Sequence, residues 1–156
     1  MDSDVVLGLQ NQLNHERQNA QKYFYVASVF SNMAYDGFAK AFTKQGQGEL
    51  EHANWISELL ISKRIQPEYR LLEGVVVIMD VVELAKFAYI TELQTTQKLK
   101  DLYSVCEDAE DYQACSLLDK MLLEQIEEET FTADLADLVS CTDPNGWIVL
   151  DERYGK

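Results

Sequence analysis

Four long stretches of this chain repeat apolar residues at spacings of three and four, and each carries a carboxylate near the middle of its apolar stripe. That spacing is the signature of an amphipathic helix with one buried face. In the first stretch the stripe reads Leu9, Leu13, Glu16, Ala20, Tyr23, Ala27, Phe30, and in the second Phe42, Glu49, His52, Ile56, Leu59. In the third it reads Ala85, Ala88, Glu92, Thr95, Leu99, Leu102, and in the fourth Leu118, Met121, Gln125, Glu128, Thr132, Leu135. Helices of similar length packed side by side bring their middles to one level. Glu16, Glu49, His52, Glu92, Gln125 and Glu128 should therefore converge inside a bundle.

That convergence needs compensation. A buried, unpaired carboxylate loses several kcal/mol of hydration, and four near one point repel one another. No Lys or Arg lies on the stripes at that level. Bound cations would supply the missing charge, and protonation of some carboxyls is the alternative. The donor set is rich in hard oxygen, with one imidazole and no thiolate. That suits iron or manganese better than structural zinc or calcium. Taken singly, His52, the pair Glu49-x-x-His52, Tyr23 or the acidic run Glu124, Glu127, Glu128, Glu129 would say little. The coincidence on four helices carries the argument.

The breaks between helices set the topology. The first helix is predicted from an N-cap at Ser3 to about Tyr35, with Asp36-Gly37 as its stop. The second runs from about Phe38 to Arg64, ahead of Pro67. The third starts at Asp80, where Asp80-x-x-Glu83 resembles a capping box, and ends near Glu107. The fourth runs from about Ala109 to Ser140. After the turn Asp143-Pro144-Asn145-Gly146 comes a short apolar segment, Trp147 to Tyr154. Short links make antiparallel pairs of the first and second helices and of the third and fourth. The middle link, about Ile65 to Met79, can span about 50 Å when extended, against about 40 Å for one helix. It can cross the whole bundle and leave the third helix parallel to the second. This predicts an all-α, ferritin-like four-helix bundle with one long crossover, as a single domain over residues 1–156, and the tail segment resembles the short C-terminal fifth helix of such bundles. Val75-Val76-Val77-Ile78 in the link could be a strand, but a lone strand would have to pair across a subunit contact.

Composition narrows the partners. The formal charge is −14, from 27 acidic and 13 basic residues. Nucleic acid and anionic membranes are poor partners for such a chain, and cations are good ones. No run approaches membrane-spanning length, and the acidic start leads into no apolar signal core. Cys106, Cys115 and Cys141 lack zinc-finger or CxxC spacing, so free thiols in a reducing cytoplasm are expected.

Against this reading, the chain resembles the ferritins, and among them the bacterial non-haem type. The resemblance rests on Leu9-Gln10 through Tyr23, with Glu16 and Tyr23 seven apart, and on Gly48-Glu49-Leu50-Glu51-His52. It continues through Tyr89-Ile90-Thr91-Glu92, Thr96-Gln97-Lys98 and Gly146-Trp147-Ile148-Val149-Leu150-Asp151. Its most specific piece is Glu124-Gln125-Ile126-Glu127-Glu128-Glu129. The resemblance implies that Glu16 and His52 hold one iron, Glu92 and Glu128 a second, and that Glu49 bridges them. Gln125 would lie beside the site and Tyr23 would hydrogen-bond near it. It further implies a ferroxidase in which O2, or H2O2, oxidises paired Fe(II), with Fe(III) stored as mineral in a homo-oligomeric cage of 24 subunits. Acidic Asp108, Glu110 and Asp111 lie near the turn where ferritins place a pore that admits iron.

The departures matter too. Bacterial relatives often use a Glu just before the bridging one for a third iron site, and here that position is Gly48. Glu124 and Glu127 remain as donors, so the resemblance leaves a third iron open. Leu50 stands where a haem-ligating Met would be in bacterioferritin, so no haem is expected. Gln125-x-x-Glu128 replaces a second Glu-x-x-His, which argues against a rubrerythrin-like di-iron peroxide reductase. A storage-only or structural ferritin subunit would leave the ligand set without a purpose.

Overall fold

The computed structural model describes residues 1–156. Five α-helices and one 3-10 turn make up the chain: α1 Ser3–Asn32, α2 Asp36–Ser62, α3 Val81–Asp108, α4 Tyr112–Cys141, the turn Pro144–Gly146, and α5 Trp147–Tyr154. α1 packs chiefly on α2, α3 on α4, and α1 also on α3. No helix is long and apolar enough to cross a membrane.

The middle link does cross the bundle, and it does so along α1. Polar side chains one turn apart on α1 hold its backbone in sequence. Gln10 donates to the Gln66 carbonyl and accepts from the Glu68 N–H at 2.9 and 2.8 Å. Asn14 donates to the Glu68 carbonyl at 2.8 Å and accepts from the Arg70 N–H at 2.9 Å. Gln18 both donates to the Glu73 carbonyl and accepts its N–H. The Tyr25 hydroxyl does the same at Ile78. Link and helix rise together from Gln10 to Tyr25, so α3 starts where α1 ends and runs parallel to α2. Val75–Ile78 forms no strand within the chain. The Tyr25 hydroxyl holds Ile78, and Val76, Val77 and Leu71 are exposed.

The helix boundaries correct the sequence reading at several points. Asp2, not Ser3, caps α1, accepting from the Asp4 and Val5 N–H groups. α1 stops at Asn32, three residues early, because Ala34 turns left-handed at φ 64°. The Tyr35 N–H then reaches back to the Phe30 carbonyl at 2.9 Å. Arg64 (φ 62°) ends α2 and Glu110 (φ 55°) ends α3 in the same way, with Ile65 bonding to Leu60 and Asp111 to Cys106. This is the Schellman closure, here without glycine at its left-handed position. Asp36-Gly37 opens α2 instead of ending α1. Gly37 is needed there because a Cβ would lie 1.8 Å from the Asp151 carbonyl oxygen of α5. The Asp151 carboxylate in turn accepts from the Phe38 N–H at 2.8 Å, which seats α5 on α2. α4 starts at Tyr112 and not Ala109, with Asp111 as its N-cap. The predicted Asp80 cap holds, its carboxylate accepting from the Glu83 N–H at 2.9 Å.

The apolar core is divided. One cluster joins Val26, Phe30, Phe38, Phe42, Leu84 and Leu135 at one end of the bundle. The other joins Leu9, Leu13, Ile56, Leu60, Leu99 and Leu118 at the opposite end. Leu60 occupies the buried position expected of Leu59, which is half-buried. Between the clusters lies a polar layer, and the candidate site is that layer.

Candidate metal centre

Each helix contributes the middle of its buried face. Glu16, Glu49 and Glu92 are completely buried, and His52 and Gln125 nearly so. Glu128 and Glu124 are half-buried, and Glu127 is exposed. Three overlapping sets bring ligand atoms within 4.8 Å of one another: Glu16, Glu49 and His52; Glu49, Glu92 and Glu128; and His52, Glu124 and Glu128. Glu49 belongs to the first two sets, which places it between them. Glu127 joins none of the three.

Hydrogen bonds fix the outer edges of the layer. Gln12 donates to Glu16 Oε1 at 2.8 Å. Tyr23, fully buried, donates to Glu92 Oε1. Gln125 donates to Glu92 Oε2 at 2.9 Å and lies 3.1 Å from Thr96 Oγ1. The oxygens that face the middle have no partner: Glu16 Oε2, both oxygens of Glu49, and Glu128 Oε2 are buried and unsatisfied. Such atoms cost several kcal/mol each when left bare. No Lys or Arg forms an ion pair with any of these carboxylates. The donor set therefore fits hard cations, two of which would fill the two sets that share Glu49.

Without a cation the layer must share protons. Burial lifts Glu49 well above the carboxylate range, and the charges of Glu16, Glu92 and Glu128 lift it further. Burial and Glu92 push Glu128 up to about 8. Glu92 is also raised by burial, against hydrogen bonds from Tyr23 and Gln125 that favour its charged form. Burial would lift Glu16 too, but a protonated Glu49 close by and the charge of His52 hold it at about 2. Burial would lower His52, yet Glu16 and Glu124 raise it to about 9. A cation entering the layer would displace these protons.

Some neighbours carry no signal in the sequence. His15 Nε2 lies 2.8 Å from Thr95 Oγ1, which also accepts from Asn19 and donates to Thr91. The Asn19 amide nitrogen lies 3.2 Å from the same His15 nitrogen. Burial holds His15 at about 4, and it remains neutral. Trp55 stands beside His52, ring centres 5.1 Å apart, with the Lys120 ammonium 3.5 Å over its face. Gln12 and Asn19 were findable only as polar residues on an otherwise apolar flank.

Comparisons with known proteins bear on the family and the fold. A family model described as the ferritin-like domain matches residues 6–141. The bacterial non-heme ferritin of Staphylococcus aureus (strain USA300) is 25% identical over 155 residues, covering 98% of this chain and 93% of that protein. That of Staphylococcus haemolyticus (strain JCSC1435) is 25% identical over 131 residues, covering 83% and 79%. Among solved structures, an open pore ferritin from the hyperthermophilic archaeon Archaeoglobus fulgidus superposes with a TM-score of 0.94 at 22% identity, covering 99% of this chain and 96% of that one. Its fold is this fold. A bundle with one crossover, a carboxylate layer at mid-height and a family match over nearly the whole chain together show that this chain belongs to the ferritin family.

Proposed function

We propose that this chain is an iron-storage ferritin subunit that oxidises Fe(II) at the carboxylate layer. The observation that carries the reading is the group of four unsatisfied carboxylate oxygens, on Glu16, Glu49 and Glu128, facing one another beside His52. Fe(II) is the substrate. Glu16 and His52 bind one ion, Glu92 and Glu128 the other, and Glu49 bridges. Two Fe(II) give one electron each to O2, which takes up two protons to form H2O2 and leaves two Fe(III). Protons displaced from Glu128, Glu49 and His52 are available for that step. Hydrogen bonds from Tyr23 and Gln125 favour the charged, ligating form of Glu92. Glu124 and Glu127 lie on the outward side of the layer, where a third ion could rest. Fe(III) then passes to mineral in the cage.

Assembly into a cage of 24 chains is part of the proposal. It is supported by apolar side chains left bare on one chain: Leu71, Val76, Val77 and Met79 on the crossover, and Ile148 and Val149 on α5. Exposed apolar patches of this kind mark contact surfaces.

The test is stopped-flow oxidation of Fe(II) under air by wild type, Glu49→Ala and His52→Ala. Both variants should be slowed by about 100-fold or more. Unchanged kinetics in both would remove the assignment. Light scattering tests the cage, and a monomer would count against it.

A further inference from the structure

On the α2–α4 face beside the metal centre lies a groove of about 810 Å³, and its charge is divided. One end is acidic, with Glu124, Glu127 and Glu128 from α4. The other is basic, with Lys40 and Lys44 from α2 and the terminal Lys156. Phe131 and Tyr154, edge to face at 5.7 Å, wall the basic end. Three features set this groove apart from ordinary surface.

The lysines are unpaired. In a chain with 27 acidic residues, none of the three ammonium groups forms an ion pair. Lys40 donates to the Gly155 carbonyl at 3.1 Å, which gathers Lys40 and the chain terminus at one place. Lys40, Lys44 and Gly48 follow one another at i, i+4, i+8 and so share one face of α2.

The groove floor is kept clear by a glycine that packing does not require. A Cβ on Gly48 would meet nothing within 4 Å, whereas a Cβ on Gly46 would lie 2.5 Å from the Phe24 ring. Glycine within a helix costs about 1 kcal/mol relative to alanine. At Gly46 that cost buys the close approach of Phe24. At Gly48 it leaves open space between the lysines and the centre. The groove also reaches the centre itself, since Glu124 and Glu128 line both, and Glu128 Oε2 is one of the unsatisfied buried oxygens.

We propose that the basic end binds a small polyvalent oxyanion of the inorganic phosphate class, in the same groove as the carboxylates that handle the cation. Multiple ammonium groups on one concave surface recognise such an anion by charge and hydrogen bonding. The anion would meet a cation at Glu124 and Glu128 and be deposited with it. That role rests on the reading of the layer as an iron site; the binding itself does not.

Equilibrium dialysis of inorganic phosphate against the assembled, metal-free protein tests the binding. Saturable uptake is expected, weakened about tenfold in Lys40→Gln/Lys44→Gln. No saturable uptake, or equal uptake in the double variant, overturns the proposal. Equimolar citrate tests the source: if it displaces the phosphate, the groove serves carboxylate chelators and the phosphate assignment falls. A second arm loads the centre with Co(II), whose visible absorption reports its coordination independently. The 31P resonance of added phosphate should then broaden more with wild type than with the double variant. Co(II) absorption without that difference counts against the groove alone, and absence of Co(II) absorption counts against the metal centre.

Discussion

The Nε2 of His52 and the Oε2 of Glu124 are 2.6 Å apart, so the imidazole at the centre is held from its outer side by a half-buried carboxylate. The other ring nitrogen, Nδ1, faces Glu49 Oε2 at 3.5 Å and Glu16 Oε2 at 3.8 Å. A histidine that binds a metal through one nitrogen is commonly oriented by a carboxylate on the other. Glu124 therefore serves as the positioning partner of His52 in the arrangement seen. Glu124→Ala should weaken Co(II) or Zn(II) binding by about 10–100-fold while leaving a site, whereas His52→Ala removes one ligand outright. Isothermal titration would separate the two, and equal affinities for Glu124→Ala and wild type would rule out the positioning role.

The proton load of the layer gives the metal-free protein a pH dependence with a definite sign. Glu128 is raised from 4.5 to about 8, and His52 from 6.5 to about 9. Each holds a proton in the folded state that the unfolded chain releases over its window. Such a contribution is present below the unfolded pKa and is lost as pH rises through the folded one. Glu16, lowered to about 2, acts the other way and matters only below 4.5. Stability of the metal-free protein should thus decline from about pH 5 to about pH 9. Added Co(II) displaces the same protons, so its upward shift of Tm should grow over that range. Calorimetry with and without Co(II) checks both, and a flat Tm without metal would sink the account.

Function and stability oppose each other at Glu49. It is the carboxyl shared by two ligand sets, and neither of its oxygens has a partner. At neutral pH the folded protein must keep a proton on it that the unfolded chain would shed. Gln keeps the shape and removes that requirement. Metal-free Glu49→Gln should therefore be more stable than wild type by about 2–3 kcal/mol at pH 7, and should lose most of its stabilisation by Co(II). Thermal denaturation of the two proteins, with and without metal, is sufficient. A less stable metal-free variant would mean that the carboxyl group makes a contact the amide cannot.

Burial was legible in the sequence and helix ends were not, for different physical reasons. The buried stripes follow from spacing alone, which is why the completely buried Glu16, Glu49 and Glu92 fall at the level their periodicity predicts. Periodicity cannot say how deep a residue sits at the edge of a stripe, so Glu128 emerges half-buried and Glu127 exposed. Side chains of α1 that meet the crossover backbone, such as Asn14 at Glu68 and Arg70, depend on tertiary register and leave no local pattern. The helix ends were misplaced because the usual glycine signal is missing from them. Gly37 read as a stop, yet it marks a close approach to Asp151 inside α2.

That inversion yields the last prediction. Ala34, Arg64 and Glu110 occupy left-handed conformations at φ 64°, 62° and 55°, where a side chain is disfavoured. Gly48 sits inside α2, where a Cβ would meet no neighbour within 4 Å. Glycine is therefore absent where the backbone favours it and present where it is a cost. Ala34→Gly and Glu110→Gly should each stabilise the fold by up to about 1 kcal/mol, because relief of the strained φ outweighs the added freedom of the unfolded chain. Gly48→Ala should stabilise it by a similar amount, about 1 kcal/mol, through helix propensity. The three positions lie on different segments and should add to within about 0.5 kcal/mol. Chemical denaturation with the m-value held constant measures each. The combination of a stabilised Gly48→Ala with unchanged Co(II) binding would show that the glycine is dispensable to the metal centre. The retention of glycine there would then be a property of the groove.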